Sequence, residues 1–369
     1  MARVAAARPA RIGDAAVYTV AVVAAMIISG LFIAALGGNV LTAFATIVRA
    51  SLGSLGGLAQ TLNKATPLML GSLAVVLGMR GGFVNIGVDG QIYAGAIGAT
   101  GVAFALANLG LGRGLLVPLV LLAGLAGGML LMFIAAVLRA GFGVSEIFVT
   151  VMLNFVALFF TEYLATGPWN DPMAGEAITR QISDAATLPM LLTRAGAHTG
   201  VLIALASGLL VAWMLDRTVL GYQIRAVGDN PRAARIGGIS IAAVTMVALP
   251  LSGALAGLAG AIEVSGFHHR LILGLTPGYG VMSILIAVIA RRHPLGAMLA
   301  ALLFAVLLVG SDSLQRSIGL PASAVFVFQA VILLVLLVVE GWRDAAERRM
   351  ARAAAAHGSA VPQGGPAAS

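Results

Sequence analysis

Long apolar runs separated by short polar knots dominate this chain. They fall near Ala15–Leu36, Leu58–Met79, Gln91–Leu109, Leu115–Leu138, Ile147–Gly167, Gly200–Leu215, Ile241–Glu263, Tyr279–Ala290, Leu295–Gly310 and Ala322–Val339. A helix needs roughly 20 apolar residues to cross a bilayer. The pattern therefore predicts an all-α membrane protein, a polytopic bundle of about ten transmembrane helices. The eighth and ninth runs are short, and one bent hairpin with Pro294 at its turn would also account for them. The first run follows Arg3, Arg8 and Arg11. It exceeds the core of about 7–15 residues expected of a signal peptide, so it reads as an uncleaved span.

The arginines orient this arrangement. With the N-terminus inside, Arg80, Arg139, Arg217, Arg225, Arg232, Arg235, Arg291 and Arg292 join the terminal arginines on the cytoplasmic side. Arg49, Arg113, Arg180, Arg194, Arg270 and Arg316 fall on the other side, and Lys64 lies within a span. This bias fits the positive-inside rule with both termini cytoplasmic; an error of one span before Arg139 would erase it. The organisation expected is a tail over residues 1–14, a transmembrane domain over 15–340 and a tail over 341–369. Within the domain, residues 168–199 form an extracytoplasmic loop and 216–240 a basic cytoplasmic loop. The end of the second tail is rich in Ala, Gly and Pro and is expected to be disordered.

Composition agrees with lipid as the main solvent. The 369 residues are 60% hydrophobic and 10% charged, with a mean hydropathy of +1.02. That charge is too little to coat a water-soluble surface, and the 47 glycines suit close helix packing in a membrane. The net charge of +8 is scattered between apolar runs, not gathered in a stripe, which argues against nucleic acid as a partner. Without cysteine, disulfides and thiol chemistry are excluded. Lys64 is the single lysine and lies outside any GxxxxGK[ST] loop, so the chain does not hold ATP by a P-loop.

Two segments carry candidate chemistry. In the first, Asn85, Asp89 and Gln91 cluster at a membrane entry among Gly78, Gly81, Gly82, Gly87 and Gly90. An ionised Asp at mid-membrane costs about 2.5–3.5 kcal/mol on insertion scales, and irregular backbone is tolerated at depth only when shielded from lipid. The residues fit a broken, re-entrant segment lining a pathway, and equally an ordinary solvated turn. The second runs from Leu220 to Ile239. Asn230-Pro231 is a helix start, with Asn as cap and Pro in the first turn, and Gly237-Gly238 is a stop. A short capped helix held between two spans could dock on another protein; a solvated loop obeying the charge rule is the alternative.

The stretch ATPLMLGSLAVVLGMRGGFVNIGVDGQ resembles the signature of nucleoside-type permease subunits of ATP-binding-cassette (ABC) importers, within the simple-sugar and branched-chain amino-acid permease family. GYQIRAVGDNPRAARIGGI is similar to that family's cytoplasmic coupling loop, and LSGALAGLAGAIEVSGFHHRL, PGYG and HPLG match in order and spacing. The similarity covers roughly Thr61 to Glu340. It implies nucleoside import, with ribose-like sugars as the alternative, through a multi-pass subunit of the inner (plasma) membrane with a cytoplasmic coupling helix. Implied partners are a separate ATPase subunit that binds ATP and Mg, a second homologous permease and an extracytoplasmic substrate-binding protein. No catalysis and no cofactor are implied for this chain itself. By the same resemblance, Arg225, Gly228, Asn230, Ala233 and Ala234 contact the ATPase, and Asn85, Asp89 and Gln91 lie beside the translocation path. One departure stands out: relatives follow PGYG with an aromatic, an acidic residue and a glycine, where this chain has Val281-Met282-Ser283.

Other polar residues carry weaker expectations. Glu263, near His268 and His269, is either substrate-facing or an interfacial group reaching water. Asn154, inside a span, either bonds a neighbouring helix or lines the path. Glu146 and Glu162 flank the fifth span and read as interfacial, as does Trp169. An ion-coupled secondary transporter would need a buried acid, for which Asp89 is the candidate. An intramembrane enzyme finds no spaced Ser/His set and no HExxH.

Overall fold

The computed structural model describes residues 39–192 and 195–318 continuously, with scattered helical positions between Val23 and Ala34 and between Val327 and Ala345. The tail over residues 1–14 lies outside the described residues. So do most of the first and last expected spans and nearly all of the tail over 341–369. The chain divides into two units, residues 44–320 and residues 1–43 with 321–369. The second unit is helical at its described positions apart from Asn39.

The first unit is helical almost throughout: α1 (Val40–Leu52, beginning just before it), α2 (Leu55–Arg80), α3 (Val88–Ala105), α4 (Arg113–Phe142), α5 (Glu146–Thr166), α6 (Gly200–Arg217), α7 (Val219–Asp229), α8 (Pro231–Ile236), α9 (Ile241–Ile262), α10 (Tyr279–Ile289) and α11 (Pro294–Ile318). Among the described residues seven helices are long and apolar enough to span a membrane, and α1 and α10 are shorter apolar helices. This makes the protein a multi-pass membrane protein. Side chains set several helix starts: Ser54 Oγ accepts from Gly57 N–H at 3.0 Å, Thr218 Oγ1 from Gly221 N–H at 3.0 Å and Ser240 Oγ from Ala243 N–H at 3.3 Å.

α2 is the axis of the bundle. Its apolar window is 83% buried, and α6, α9, α10 and α11 pack around it. The tightest crossing is α4 on α9, where Gly124 and Gly128 face Gly253 and Gly257; a Cβ on Gly253 would stand 2.5 Å from the Gly128 carbonyl oxygen. Backbones in direct contact gain dispersion without side-chain ordering, the usual device where lipid supplies no hydrophobic drive between helices. α5 contributes least to the interior, its apolar window only 22% buried. Phe148, Phe155 and Phe159 on its outer face are exposed, as are Leu122 and Leu130 on α4, which suits hydrocarbon as neighbour.

Three elements differ from the expectation. α1 was not expected, because its 13 residues are too short and too mixed to read as a span. The run expected to be short after Pro294 is a 25-residue helix, since the chain stays helical past Gly310 through Ser311, whose Oγ donates to the Leu307 carbonyl at 2.6 Å. The basic loop 216–240 is largely helical, with α7 ahead of the foreseen α8. The 168–199 loop is irregular and includes a small antiparallel pair, β1 (Met190–Leu192) with β2 (Ala197–His198).

Candidate functional site

After Arg80 the chain makes a tight turn and doubles back along α2. Gly82 takes φ +79°, Phe83 N–H donates to the Gly78 carbonyl at 2.9 Å, and residues 83–87 carry no regular structure. Val88, which opens α3, lies beside Gly71: a Cβ there would be 3.3 Å from Val88 Cγ1. Gly71 is nine residues before Arg80, or about 14 Å along the helix. α3 thus starts well inside the length of α2.

A backbone that leaves helical pairing inside a bundle must find other partners. Asn85 and Gln91 form a reciprocal amide pair, each Nδ2 or Nε2 donating to the other's oxygen at 2.9 Å. Asn85 Nδ2 also donates to Ser252 Oγ at 2.8 Å, and that hydroxyl donates to the Ala74 carbonyl at 2.7 Å. Asn85 Oδ1 accepts from Gly87 N–H at 2.9 Å. From α5, Asn154 grips the same segment by accepting from Gly90 N–H at 2.8 Å and donating to the Ile86 carbonyl at 3.0 Å. Glu146 Oε1 accepts from Val84 N–H at 3.4 Å, while Oε2 lies 3.3 Å from Arg139 Nε. Asn85 and Gln91 are fully buried, so their polar atoms serve the break itself. Asp89 differs: half-buried, it accepts from Gly280 N–H at 2.8 Å at the first turn of α10, where the helix N-terminus favours a carboxylate. Asp89 thereby joins the starts of two helices.

At the Arg80 end the break meets α7. A side chain on Gly228 would strike the Arg80 carbonyl oxygen, and Gly82 would bring a Cβ to 3.1 Å of Gly228 Cα. Arg225 on the same helix lies 3.5 Å from Asp216. Asn230 caps α8, its Oδ1 accepting from Arg232 and Ala233 N–H at 3.1 Å each. Ala234 is buried while Ala233 is exposed, and Ile236 at the tip is 89% exposed. Arg80 Nε donates to the Arg292 carbonyl at 2.7 Å, tying this face to the α10–α11 turn.

Toward the other end of α2, α9 finishes in a π-turn, Glu263–His268. Glu263 is buried, its Oε2 3.4 Å from His268 Nε2. Lys64 Nζ donates to Tyr279 Oη at 3.4 Å and stands over the Phe267 ring at 5.6 Å from its centroid. Asn63 holds the 168–199 loop by donating to the Gly196 carbonyl at 2.8 Å and accepting from His198 N–H at 3.2 Å. His198 is fully buried, and Nδ1 accepts from Gly200 N–H at 3.1 Å. Burial chiefly pushes its pKa down, against the pull of Glu263 and with a smaller push from His269. His269 is likewise lowered, first by burial, with the Ser265 backbone and Asp184 opposing. No group of three metal-ligating side chains occurs among the described residues.

Residues 57–339 match the family described as the permease component of branched-chain amino acid transport systems. The chain belongs to that family. This permease is 36% identical over 329 residues to the glucose ABC transporter permease protein TsgB13 of Haloferax volcanii, covering 86% of each chain. It is 30% identical to the nucleoside ABC transporter permease protein NupB of Lactococcus lactis, over 86% of this chain and 89% of the relative. It is 29% identical to the guanosine ABC transporter permease protein NupP of Bacillus subtilis, over 88% and 93% respectively. No solved structure matches the permease. Sequence reasoning passed over three of its residues, Lys64, Phe267 and Tyr279. Their only signal was a lone lysine in a span, because the partners that give it meaning lie some 200 positions downstream.

Proposed function

We propose that this permease forms the translocation path of an ABC importer for nucleosides, driven by ATP and Mg bound to a separate ATPase subunit. The observation that carries the reading is the seat of Gly228 on the Arg80–Gly82 turn. Through it, a push on α7 and α8 reaches the broken segment in one backbone contact. Arg225, Asn230 and Ala233 form the ATPase-facing surface, with Ile236 as its apolar tip, while Gly228 and Ala234 point inward and seat α7 and α8 on the bundle. Asp89 and Glu263 stand nearest the solute path, while Asn85, Gln91 and Asn154 shape its wall. The break re-enters the bilayer within a bundle of about ten spans, with both termini and residues 216–240 cytoplasmic. Residues 168–199 face the extracytoplasmic binding protein, and a second permease completes the pair in the inner (plasma) membrane. No cofactor belongs to this chain.

A simple-sugar substrate is the second reading, favoured by the 36% identity to a glucose permease. Both are tested by reconstituting the assembled complex with its binding protein in vesicles and following ATP-dependent uptake of guanosine and of glucose. Solute movement by the permease alone, under an ion gradient without ATPase, would establish a secondary transporter instead.

A further inference from the structure

Lys64 is the one lysine of the chain, and it sits a third of the way along the most buried helix. None of the ion pairs among the described residues includes it. Its ammonium has three N–H donors, and the structure gives it one hydroxyl, Tyr279 Oη at 3.4 Å. Around it stand two aromatic faces, Phe267 at 5.6 Å and Tyr279 at 5.9 Å. The fully buried Tyr279 is fixed, whereas Phe267 is 41% exposed. Phe267 meets His268 edge-on at 4.8 Å, and His268 lies 3.4 Å from the buried Glu263.

An ammonium in a span costs about 2.5–3.5 kcal/mol against hydrocarbon, and such groups face a polar cavity or the bundle interior. Here the described residues supply rings and no carboxylate at ion-pair distance, so donors of Lys64 remain for an entering solute. The π-turn strengthens the case, because it carries Phe267 to the Lys64 ammonium on α2, and such bulges concentrate at functional sites.

We propose that Lys64, Phe267 and Tyr279 form a solute-recognition station of the translocation path, taking an uncharged ring compound rich in hydrogen-bond acceptors. Lys64 donates to a carbonyl or hydroxyl oxygen of the solute, and the half-open Phe267 ring packs against its flat face. Lys64 repels cations, while the buried Glu263 keeps the surroundings unfavourable to anions. Nucleoside bases and hexoses share this chemistry, so the station rests on the importer reading above and narrows it.

The test uses the full complex in proteoliposomes, with guanosine and glucose as labelled probes and ATP hydrolysis measured in parallel. Lys64→Met is expected to lower uptake of the carried solute about tenfold, the scale of one charge-assisted hydrogen bond, with hydrolysis retained. Lys64→Arg is expected to keep more uptake than Lys64→Met. Phe267→Leu lowers guanosine uptake more than glucose uptake if a base stacks there. Lys64→Met at the wild-type rate, or equal losses in Lys64→Met and Lys64→Arg, overturns the station. Should Lys64→Met not assemble, Tyr279→Phe decides: a raised KM supports the station and an unchanged KM overturns it. Wild type carrying neither solute overturns the importer reading and the station together, whereas a working wild type beside an unaffected Lys64→Met overturns the station alone.

Discussion

Replacing Gly228 by valine probes the coupling of α7 to the broken segment most directly. A Cβ at this position would overlap the Arg80 carbonyl oxygen and come within 2.9 Å of Gly82 N. Both obstacles are backbone atoms of a turn pinned by Gly81 and Gly82 N–H bonds to α2 carbonyls, so no rotamer change relieves them. Overpacking of this kind costs about 1–3 kcal/mol. The cheapest relief is for α7 to lift off the turn by roughly the width of a methyl group, breaking the contact without unfolding either helix. Uptake by the reconstituted complex is then expected to fall at least about tenfold, a 1.4 kcal/mol effect, while ATP hydrolysis continues. Gly82→Ala approaches the same contact from the other side; it combines φ +79° with a 3.1 Å approach to Gly228 Cα and gives a milder version of the same defect. Uptake and hydrolysis falling in strict proportion in both variants, or neither falling, would refute a mechanical role for this contact.

The other predictions concern the break and the 168–199 loop. Asn85→Ala strands the Gln91 amide and Gly87 N–H and is expected to destabilise the fold by about 1–3 kcal/mol, read as a lower melting temperature in detergent; an unchanged midpoint would remove the clasp from the argument. Asp89→Ala removes the acceptor for Gly280 N–H and should loosen the first turn of α10 by about 1 kcal/mol, visible as faster amide exchange at Gly280 and Val281, with Asp89→Asn milder. Because burial lowers the pKa of His198 and His269 below the ordinary 6.5, the unfolded chain binds protons there that the folded chain does not. Stability is therefore full above pH 6.5 and declines as pH falls below it toward the folded values. His198→Asn should flatten melting temperature against pH between 7 and 5 relative to wild type, and an identical slope would exclude His198 as a contributor.

Much of this architecture is legible in the chain because hydrocarbon imposes a length rule on every span. α3, α4, α5 and α6 lie where their apolar runs place them. α8 begins and ends at Asn230 and Gly237, because cap chemistry is local and needs no tertiary information. α7 was hidden for the opposite reason. Its residues Val219, Tyr222 and Arg225 are mixed in polarity and too few for a span, so helix and solvated loop predict the same pattern. The cluster at Asn85, Asp89 and Gln91 was visible as a cost without a purpose. Sequence shows that three polar residues enter an apolar region, but the partners they find there include Ser252 for Asn85, Met132 for Gln91 and Gly280 for Asp89, each far along the chain.

That division of roles explains how one short segment can be both irregular and movable. Asn85 and Gln91 satisfy each other and Ser252, so the buried amides of the break have partners where they stand. Its attachments to the bundle differ in kind: Asn85 reaches Ser252 on α9, and Gln91 Nε2 lies 3.2 Å from Met132 Sδ on α4. Asn154 and Glu146 hold it to α5 and to the end of α4 through side chains, Asp89 holds it to α10 through one backbone N–H, and Gly82 touches α7 through bare backbone. A push arriving at α7 therefore meets a unit that is hydrogen-bonded within itself and linked to the start of α10 through Asp89. Because α10 starts with Tyr279, whose hydroxyl accepts from Lys64, displacement of that start changes the surroundings of the lone ammonium. The path from Gly228 through Gly82 and Asp89 to Tyr279 follows contacts already formed, so transport requires only that the two faces of this path favour different arrangements with nucleotide bound and released.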